Sequence, residues 1–159
     1  MSGKLLAPGR YFLEDIQAGD RIETGSLTVE ERHIDSFAEL TGDRFEIHMS
    51  EAGAAKHGFP ARVAHGLLVL SLVDGLKNQA AAQFAAVASL GWDWKFAGPV
   101  FPGDTIRVVM EIMTKRETRR PDRGILTIGF TVLNQRGETV QSGINTLMVL
   151  CRSAMREML

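Results

Sequence analysis

The chain has 159 residues, with 18 basic and 19 acidic side chains and a formal net charge of −1 at pH 7. This length fits one ordinary domain, which can bury about two-thirds of its unfolded surface in a single core. The charge balance excludes an overall field that would attract nucleic acid or an anionic membrane, so we expect neither partner and look for local recognition sites.

The start of the chain and its cysteine content indicate a cytoplasmic location. The N-terminal residues lack the apolar core of about 7–15 residues that a signal peptide needs. Cys151 is the single cysteine of the sequence and cannot form an internal disulfide. We therefore expect one cytoplasmic domain, spanning residues 1–159, with a core over about residues 10–151 and a short C-terminal extension.

The first predicted elements are a short strand and an amphipathic helix. Residues 21–27 are typical of a strand. Thr28 can cap the following helix, because Glu31 stands at the reciprocal capping-box position. The pattern predicts that this helix stops near Gly42 and turns four side chains inward: Ile34, Phe37, Ala38 and Leu40.

The middle of the chain is irregular and then strongly apolar. Residues 43–63 show no clean period, and we predict an irregular segment with a short helix from Ser50 to Lys56. The helix beginning near His65 is apolar on nearly all sides, which indicates an element wrapped by other structure. It is shorter than the roughly 20 residues that cross a bilayer. Residues 80–86 are rich in alanine and suit a helix end.

The second half predicts an antiparallel sheet. Apolar residues alternate strictly along 106–112 and again along 126–132, as in half-buried strands. Residues 119–124 and 134–137 are predicted turns, and the run 139–150 is a further strand. With residues 87–96 this gives a meander of about four strands. A curled antiparallel sheet wrapped around one long helix is an α+β fold, and its exposed edges lead us to expect a homodimer or a higher oligomer.

Two features could carry acid–base chemistry. Asp43 and His48 are five residues apart, so they can meet on one substrate only if the residues between them are looped. A carboxylate and an imidazole converging on one water can remove and supply the protons of an addition to a double bond, without a metal. Gly66, at a helix N-terminus, can offer its backbone N–H to a developing oxyanion.

Structural roles compete with each of these functional ones. Asp43 can equally be a turn residue, and His48 and His65 can be interface or partly buried histidines. His57 is predicted to be a loop residue. Asp74 is either a hydrogen-bonded structural group or a carboxylate facing a cavity at a dimer interface. The basic residues between Lys115 and Arg123 are most simply a solvated hairpin end, or they meet a phosphate.

The chain resembles the MaoC-like dehydratase and R-specific enoyl-CoA hydratase family, which has a hotdog fold. Three ordered blocks carry the resemblance: Thr41-Gly42-Asp43 with Ile47-His48, then Ala64-His65-Gly66, then the run Phe-Ala-Gly-Pro-Val-Phe-Pro-Gly-Asp-Thr from Phe96 to Thr105. The resemblance implies that Asp43 and His48 bind the reacting water. It also implies that the Gly66 N–H holds the thioester oxygen.

One pair of residues departs from the family motif, because Phe45-Glu46 stands where the family usually has Asn-Pro. The bulky ring of Phe45 could fill part of an acyl pocket. We expect Phe45 and His65 to contact substrate. Arg62, Lys95 and the Arg116–Arg123 hairpin are candidates for the phosphates of coenzyme A.

These features lead to three hypotheses. The first is reversible hydration of trans-2-enoyl-CoA, or dehydration of (R)-3-hydroxyacyl-CoA, with coenzyme A as part of the substrate and no separate cofactor. The second is thioester hydrolysis with Asp74 as the carboxylate on the central helix, since one fold hosts several chemistries. The third is a non-catalytic acyl-CoA binding module.

Overall fold

A computed structural model describes residues 3–152, so the predicted C-terminal extension, residues 153–159, lies outside the described residues. The strands are β1 (Gly9–Tyr11), β2 (Arg21–Thr28), β3 (Ala82–Phe84), β4 (Ala86–Phe96), β5 (Thr105–Glu117), β6 (Arg123–Leu133) and β7 (Thr139–Leu150). The helices are α1 (Glu31–Thr41), α2 (Glu46–Met49), α3 (Glu51–Ala55) and α4 (Gly66–Gln79), with a 3₁₀ turn at Leu13–Asp15. No helix of the described residues is both long and apolar enough to cross a membrane.

The main sheet has five antiparallel strands in the order β2-β5-β6-β7-β4. The predicted alternation is confirmed: Ile106, Val108, Ile128 and Val132 are fully buried. α4 packs its buried side, which includes Val69 and Val73, on this sheet. The arrangement is the predicted α+β hotdog fold, in which a long helix lies against a curled antiparallel sheet.

Two expectations about α4 and its surroundings are wrong. Residues 82–84 do not end the helix; they form β3, which pairs in parallel with β1, and α4 ends earlier at Gln79. Nor is α4 covered on nearly all sides within one chain, because the Leu67 side of the helix faces outward and Leu67 is 60% exposed. The preference of alanine for helices is only a small energetic bias, and here the pairing of β3 with β1 overrides it.

α1 differs from its prediction in its N-cap residue and in the exposure of Leu40. Thr28 does not cap it: Thr28 ends β2, its hydroxyl bonds Thr105 Oγ1 at 2.9 Å, and Glu30 is the N-cap. Leu40 is 83% exposed although Ile34 and Ala38 are fully buried. At about 100° per residue, Leu40 lies roughly 200° around the helix from Ala38, which turns it to solvent. The predicted stop at Gly42 is confirmed by its left-handed backbone, φ 79°.

The segment after α1 contains the predicted short helix and one more. Ser50 caps α3, accepting a hydrogen bond from the Gly53 N–H at 2.9 Å, which confirms the predicted helix start. The four-residue α2 directly before it was not predicted. α3 approaches α2 so closely that a Cβ on Gly53 would lie 2.3 Å from the Glu46 carbonyl oxygen. This contact packs α2 inward and buries His48.

Candidate active site

His48 lies in α2 with its side chain buried, 8% exposed. Its Nδ1 is 2.6 Å from the Val63 carbonyl oxygen, which can only accept, so Nδ1 carries a proton. The neutral ring therefore keeps its lone pair on Nε2. Burial is the main cause that lowers the pKa of His48 below its ordinary value, so the neutral acceptor form dominates at neutral pH.

His65 immediately precedes α4 and is almost fully buried, 2% exposed. Its Nε2 donates to the Asp43 carbonyl oxygen at 2.9 Å, which ties the loop after α1 to the start of the central helix. The His48 and His65 rings stack, with centroids 3.9 Å apart and planes inclined by 25°. Within residues 3–152, His65 Nδ1 is buried without a hydrogen-bond partner.

Asp43 stands in the non-helical stretch between α1 and α2 and is exposed. Its Oδ1 accepts a hydrogen bond from the Phe45 N–H at 3.2 Å. Polar side-chain atoms of Asp43, His48 and His65 all lie within 4.8 Å of one another. The structure therefore brings the predicted Asp43–His48 pair together, because residues 43–45 are looped and α2 begins only at Glu46.

The same three side chains could be considered as metal ligands. A zinc ion needs its nitrogen ligands to converge at about 2.0–2.1 Å. The stacked rings of His48 and His65 hold their in-plane lone pairs side by side instead of converging. One nitrogen of each ring donates to a backbone carbonyl, as in many metal-ligating histidines, so only the stacking of the rings opposes a metal here. The geometry fits a carboxylate and an imidazole that share a water better than it fits a metal centre.

Gly66 is the first residue of α4, so its backbone N–H has no acceptor within the helix. A Cβ at this position would lie 2.6 Å from the Phe96 ring, so glycine lets that ring lie against the helix end. Gln141 faces Phe96 across the β4–β7 ladder and donates from Nε2 to the Gly66 carbonyl oxygen at 3.0 Å. Its Oε1 accepts from Trp94 Nε1 at 2.8 Å. These two part-buried hydrogen bonds hold the Gly66–Leu67 peptide at the start of α4.

Gln141 is not among the site residues predicted from the sequence. The signal was present, since Gln141 and Asn145 are polar residues on the buried period of a predicted strand, together with Leu147 and Val149. A buried amide on such a face must find hydrogen-bond partners, and the sequence does not reveal that one of them is the Gly66 peptide.

A cavity of about 450 Å³ opens beside these groups. Its walls come from the loop holding Asp43, from the start of α4 and from the segment after β4. Most of them are apolar: Ile47, Phe59, Val63, Ala64, Leu67, Val69, Phe96, Pro99 and Val100. Among the described residues that line it, Asp43 carries the only formal charge, since no lysine or arginine is present.

The residues predicted to bind substrate lie in different environments. Phe45 is 53% exposed, with its ring edge-on to His48 at 6.1 Å, and it does not line the cavity. Lys95 is exposed on β4, where strand alternation points it to the sheet face opposite Phe96. Arg62 is buried behind His48, with its guanidinium engaged by α1 and by the His48 backbone. This position argues against the predicted contact of Arg62 with phosphates.

Other titratable groups are engaged away from the cavity. His57 bonds Glu46 Oε1 at 2.7 Å, and this contact is the main cause that lowers the pKa of Glu46. In the basic hairpin, Arg120 and Arg123 both pair with Asp122. The Asp74 Oδ1 atom lies 2.8 Å from the Lys77 ammonium, in a direction that makes the contact electrostatic more than a hydrogen bond.

Comparison with known families identifies the chain. Residues 15–133 match the family described as MaoC like domain. The chain belongs to the MaoC-like family. It is 38% identical over 117 residues to protein MaoC of Klebsiella aerogenes, a match covering 73% of this chain and 34% of that protein. It is also 32% identical over 108 residues to the (R)-specific enoyl-CoA hydratase of Aeromonas caviae, covering 68% and 77%.

Solved structures agree with this assignment. A MaoC-like dehydratase from Rhodospirillum rubrum superposes with a TM-score of 0.83 at 30% identity, covering 89% of this chain and 98% of that one. A Mycobacterium tuberculosis protein described as a double hotdog fold superposes with a TM-score of 0.78 at 20% identity, covering 92% and 46%, a likeness of fold alone. The predicted family and fold are confirmed. The chain spans about a third of the Klebsiella protein's length, 34%.

Proposed function

We propose that this MaoC-like protein catalyses the reversible hydration of trans-2-enoyl-CoA and the dehydration of (R)-3-hydroxyacyl-CoA. The observation that carries the proposal is the convergence of Asp43 and His48, with polar atoms within 4.8 Å, beside the free helix N-terminus at Gly66. The names of the relatives support it, since one of them is an (R)-specific enoyl-CoA hydratase.

In the proposed hydration, one water lies between the Asp43 carboxylate and His48 Nε2. His48 Nε2 accepts a proton from this water as its oxygen bonds to the β carbon of the enoyl group. The electrons of the double bond move toward the thioester carbonyl, whose oxygen becomes negative. The α carbon then takes a proton back through the Asp43–His48 pair, so the net change is addition of water, and no metal or further cofactor takes part.

The developing negative charge on the thioester oxygen needs a donor that is already in place. The Gly66 N–H and the positive end of the α4 dipole meet this need. Gln141 supports the donor, because its hydrogen bond to the Gly66 carbonyl oxygen at 3.0 Å orients the same residue. Each such donor in a water-poor site is typically worth about 3–4 kcal/mol in the transition state.

The cavity walls favour an uncharged acyl chain. A free carboxylate at the far end of the acyl group would enter an apolar space. Among the described residues that line this space, Asp43 carries the only formal charge. Burying an unpaired carboxylate is costly, and Asp43 would also repel it. We therefore expect straight or branched aliphatic enoyl thioesters to be hydrated faster than dicarboxylic ones such as mesaconyl-CoA.

We propose that the working form contains at least two copies of the chain. β4 is an edge strand of 11 residues, and its apolar side chains Val87, Leu90 and Phe96 are 42%, 50% and 58% exposed. A long apolar edge of this kind is stabilised by pairing with the same strand of a second copy. Light scattering should give at least twice the mass of one chain, and Leu90→Lys should shift it toward the monomer.

Thioester hydrolysis is the weaker candidate. It would need a carboxylate on the central helix, and Asp74 is ion-paired with Lys77 and does not line the cavity. Crotonyl-CoA distinguishes the two reactions. Loss of enoyl absorbance with formation of (R)-3-hydroxybutyryl-CoA is the expected result. Release of free thiol without hydration would favour the hydrolase, and calorimetric binding without turnover would favour a binding module.

A further inference from the structure

The Arg62 side chain is buried directly behind His48 and bonds to two elements at once. The side chain is only 10% exposed. Nε donates to the His48 carbonyl oxygen at 2.7 Å, and one terminal nitrogen bonds Asp35 Oδ1 at 2.5 Å. The other terminal nitrogen lies 3.6 Å from Glu31 Oε1. Both carboxylates belong to α1, so the guanidinium connects α1 to the backbone of the His48 residue in α2.

This contact is one of three that hold residues 47–48 against residues 62–63. The Val63 N–H donates to the Ile47 carbonyl oxygen at 2.9 Å, and His48 Nδ1 donates to the Val63 carbonyl oxygen at 2.6 Å. The third is the bond from Arg62 Nε to the His48 carbonyl oxygen. α2 has only four residues, too few to fix a side chain by its own helical hydrogen bonds. The position of the His48 ring therefore depends on these external contacts.

We infer that Arg62 is a positioning residue that fixes the His48 backbone, and hence the imidazole, relative to Asp43. The inference rests on the proposed hydratase function for its kinetic readout. Arginine suits the role because its planar fork holds separate donors in fixed directions toward a carbonyl and a carboxylate, whereas the donors of lysine share one freely rotating nitrogen. A misplacement of about 1 Å in a catalytic group can lower turnover roughly 100-fold.

The main test compares Arg62→Met, Arg62→Lys and the control Arg32→Gln. Arg32 is an exposed arginine of α1 whose ion pair with Glu30 lies on the surface. We expect Arg62→Met to lower kcat for crotonyl-CoA by about 10- to 100-fold with KM changed less than about threefold. Arg62→Lys should recover part of the loss, and the control should match the wild type.

A readout independent of activity separates this inference from the proposed function. If Arg62 holds His48 in place, Arg62→Met should weaken the 2.6 Å hydrogen bond from His48 Nδ1 to the Val63 carbonyl oxygen. The His48 Nδ1–H signal in an NMR spectrum, assigned with His48→Gln, should then exchange faster with solvent than in the wild type and in Arg32→Gln. If the wild type hydrates no enoyl-CoA but this exchange is faster in Arg62→Met, the proposed function fails and the positioning role stands. A folded Arg62→Met protein with unchanged exchange, or with wild-type kcat in an active enzyme, would overturn the inference.

Arg62→Met could unfold the protein, because it removes the bonds that a buried side chain makes to the His48 carbonyl oxygen and to Asp35. The double variant Glu31→Gln, Asp35→Asn is a milder test of the same inference. These side chains are 63% and 60% exposed, and their neutralisation removes only the ion pairs at the outer end of Arg62. We expect kcat to fall severalfold in this folded variant. An unchanged kcat would contradict the inference.

Discussion

The two ends of α4 both carry polar groups, but they differ in the space beside them and in whether these groups are already paired. At the N-terminal end, the Gly66 N–H and the imidazoles of His48 and His65 border a cavity of about 450 Å³. At the C-terminal end, Asp74 pairs with Lys77 at 2.8 Å, the ammonium lies 5.6 Å from the Trp92 ring, and the adjoining void is only about 20 Å³. A ligand can be bound and transformed only at the end where unpaired hydrogen-bonding groups border a cavity large enough to hold it.

The largest expected effect comes from removing the two groups that face the cavity. Asp43→Asn and His48→Ala should each lower kcat/KM for crotonyl-CoA by about 10²–10⁴-fold, the usual contribution of a positioned acid or base. Asp74→Asn is the matched carboxylate control at the other end of α4 and should stay within about twofold of wild type. Initial rates measured by enoyl absorbance test this. A large loss in Asp74→Asn alone would move the chemistry to the C-terminal end.

The second effect is a pH dependence confined to the N-terminal end. Burial lowers the pKa of His48 from its ordinary 6.5, and the proposed reaction needs the neutral ring as proton acceptor. kcat/KM should therefore rise with pH through a midpoint below 6.5. Stability should follow the same direction, because the unfolded chain binds the proton more tightly: the contribution is complete above 6.5 and is lost as the pH falls through the folded midpoint. A midpoint above 6.5 would contradict the assignment.

The third effect concerns the residue that orients the start of α4. Gln141→Leu leaves the half-buried Trp94 Nε1–H without its acceptor and removes the support of the Gly66 peptide. We expect the free energy of unfolding to fall by about 1–3 kcal/mol. kcat should fall further than the loss of folded protein explains. Gln79→Leu, at the exposed last residue of the same helix, is the control for denaturant titration and kinetics.

The elements set by local periodicity were predictable, and those set by distant partners were not. Alternation along 106–112 and 126–132 predicted β5 and β6, and Gly42 predicted the end of α1. Nothing local indicated β3, whose strand character depends on pairing with β1, or α2, which is four residues long.

The same division holds within the site. Asp43, His48 and Gly66 stand in short sequence blocks, so resemblance could join them. The residues that hold them in place lie outside these blocks. Arg62 follows His48 by 14 residues, and Gln141 follows Gly66 by 75. Arg62 was predicted to meet phosphates because a loosely placed guanidinium suits them, but in the structure it is held by the His48 carbonyl oxygen and by Asp35.

The smallest effect tests whether the C-terminal end of α4 is purely structural. Lys77 is buried, so Asp74→Asn leaves its ammonium without a partner, while the 44% exposure of the Asp74 side chain lets water compensate in part. We expect a loss of about 1 kcal/mol in the free energy of unfolding for Asp74→Asn. Lys77→Met keeps the stem over the Trp92 ring and removes the charge. The double variant should therefore recover most of the loss, as a double-mutant cycle in urea would measure. If the cycle instead shows no coupling while kcat falls, Asp74 acts in the reaction, and the two ends of α4 are less different than their hydrogen bonding indicates.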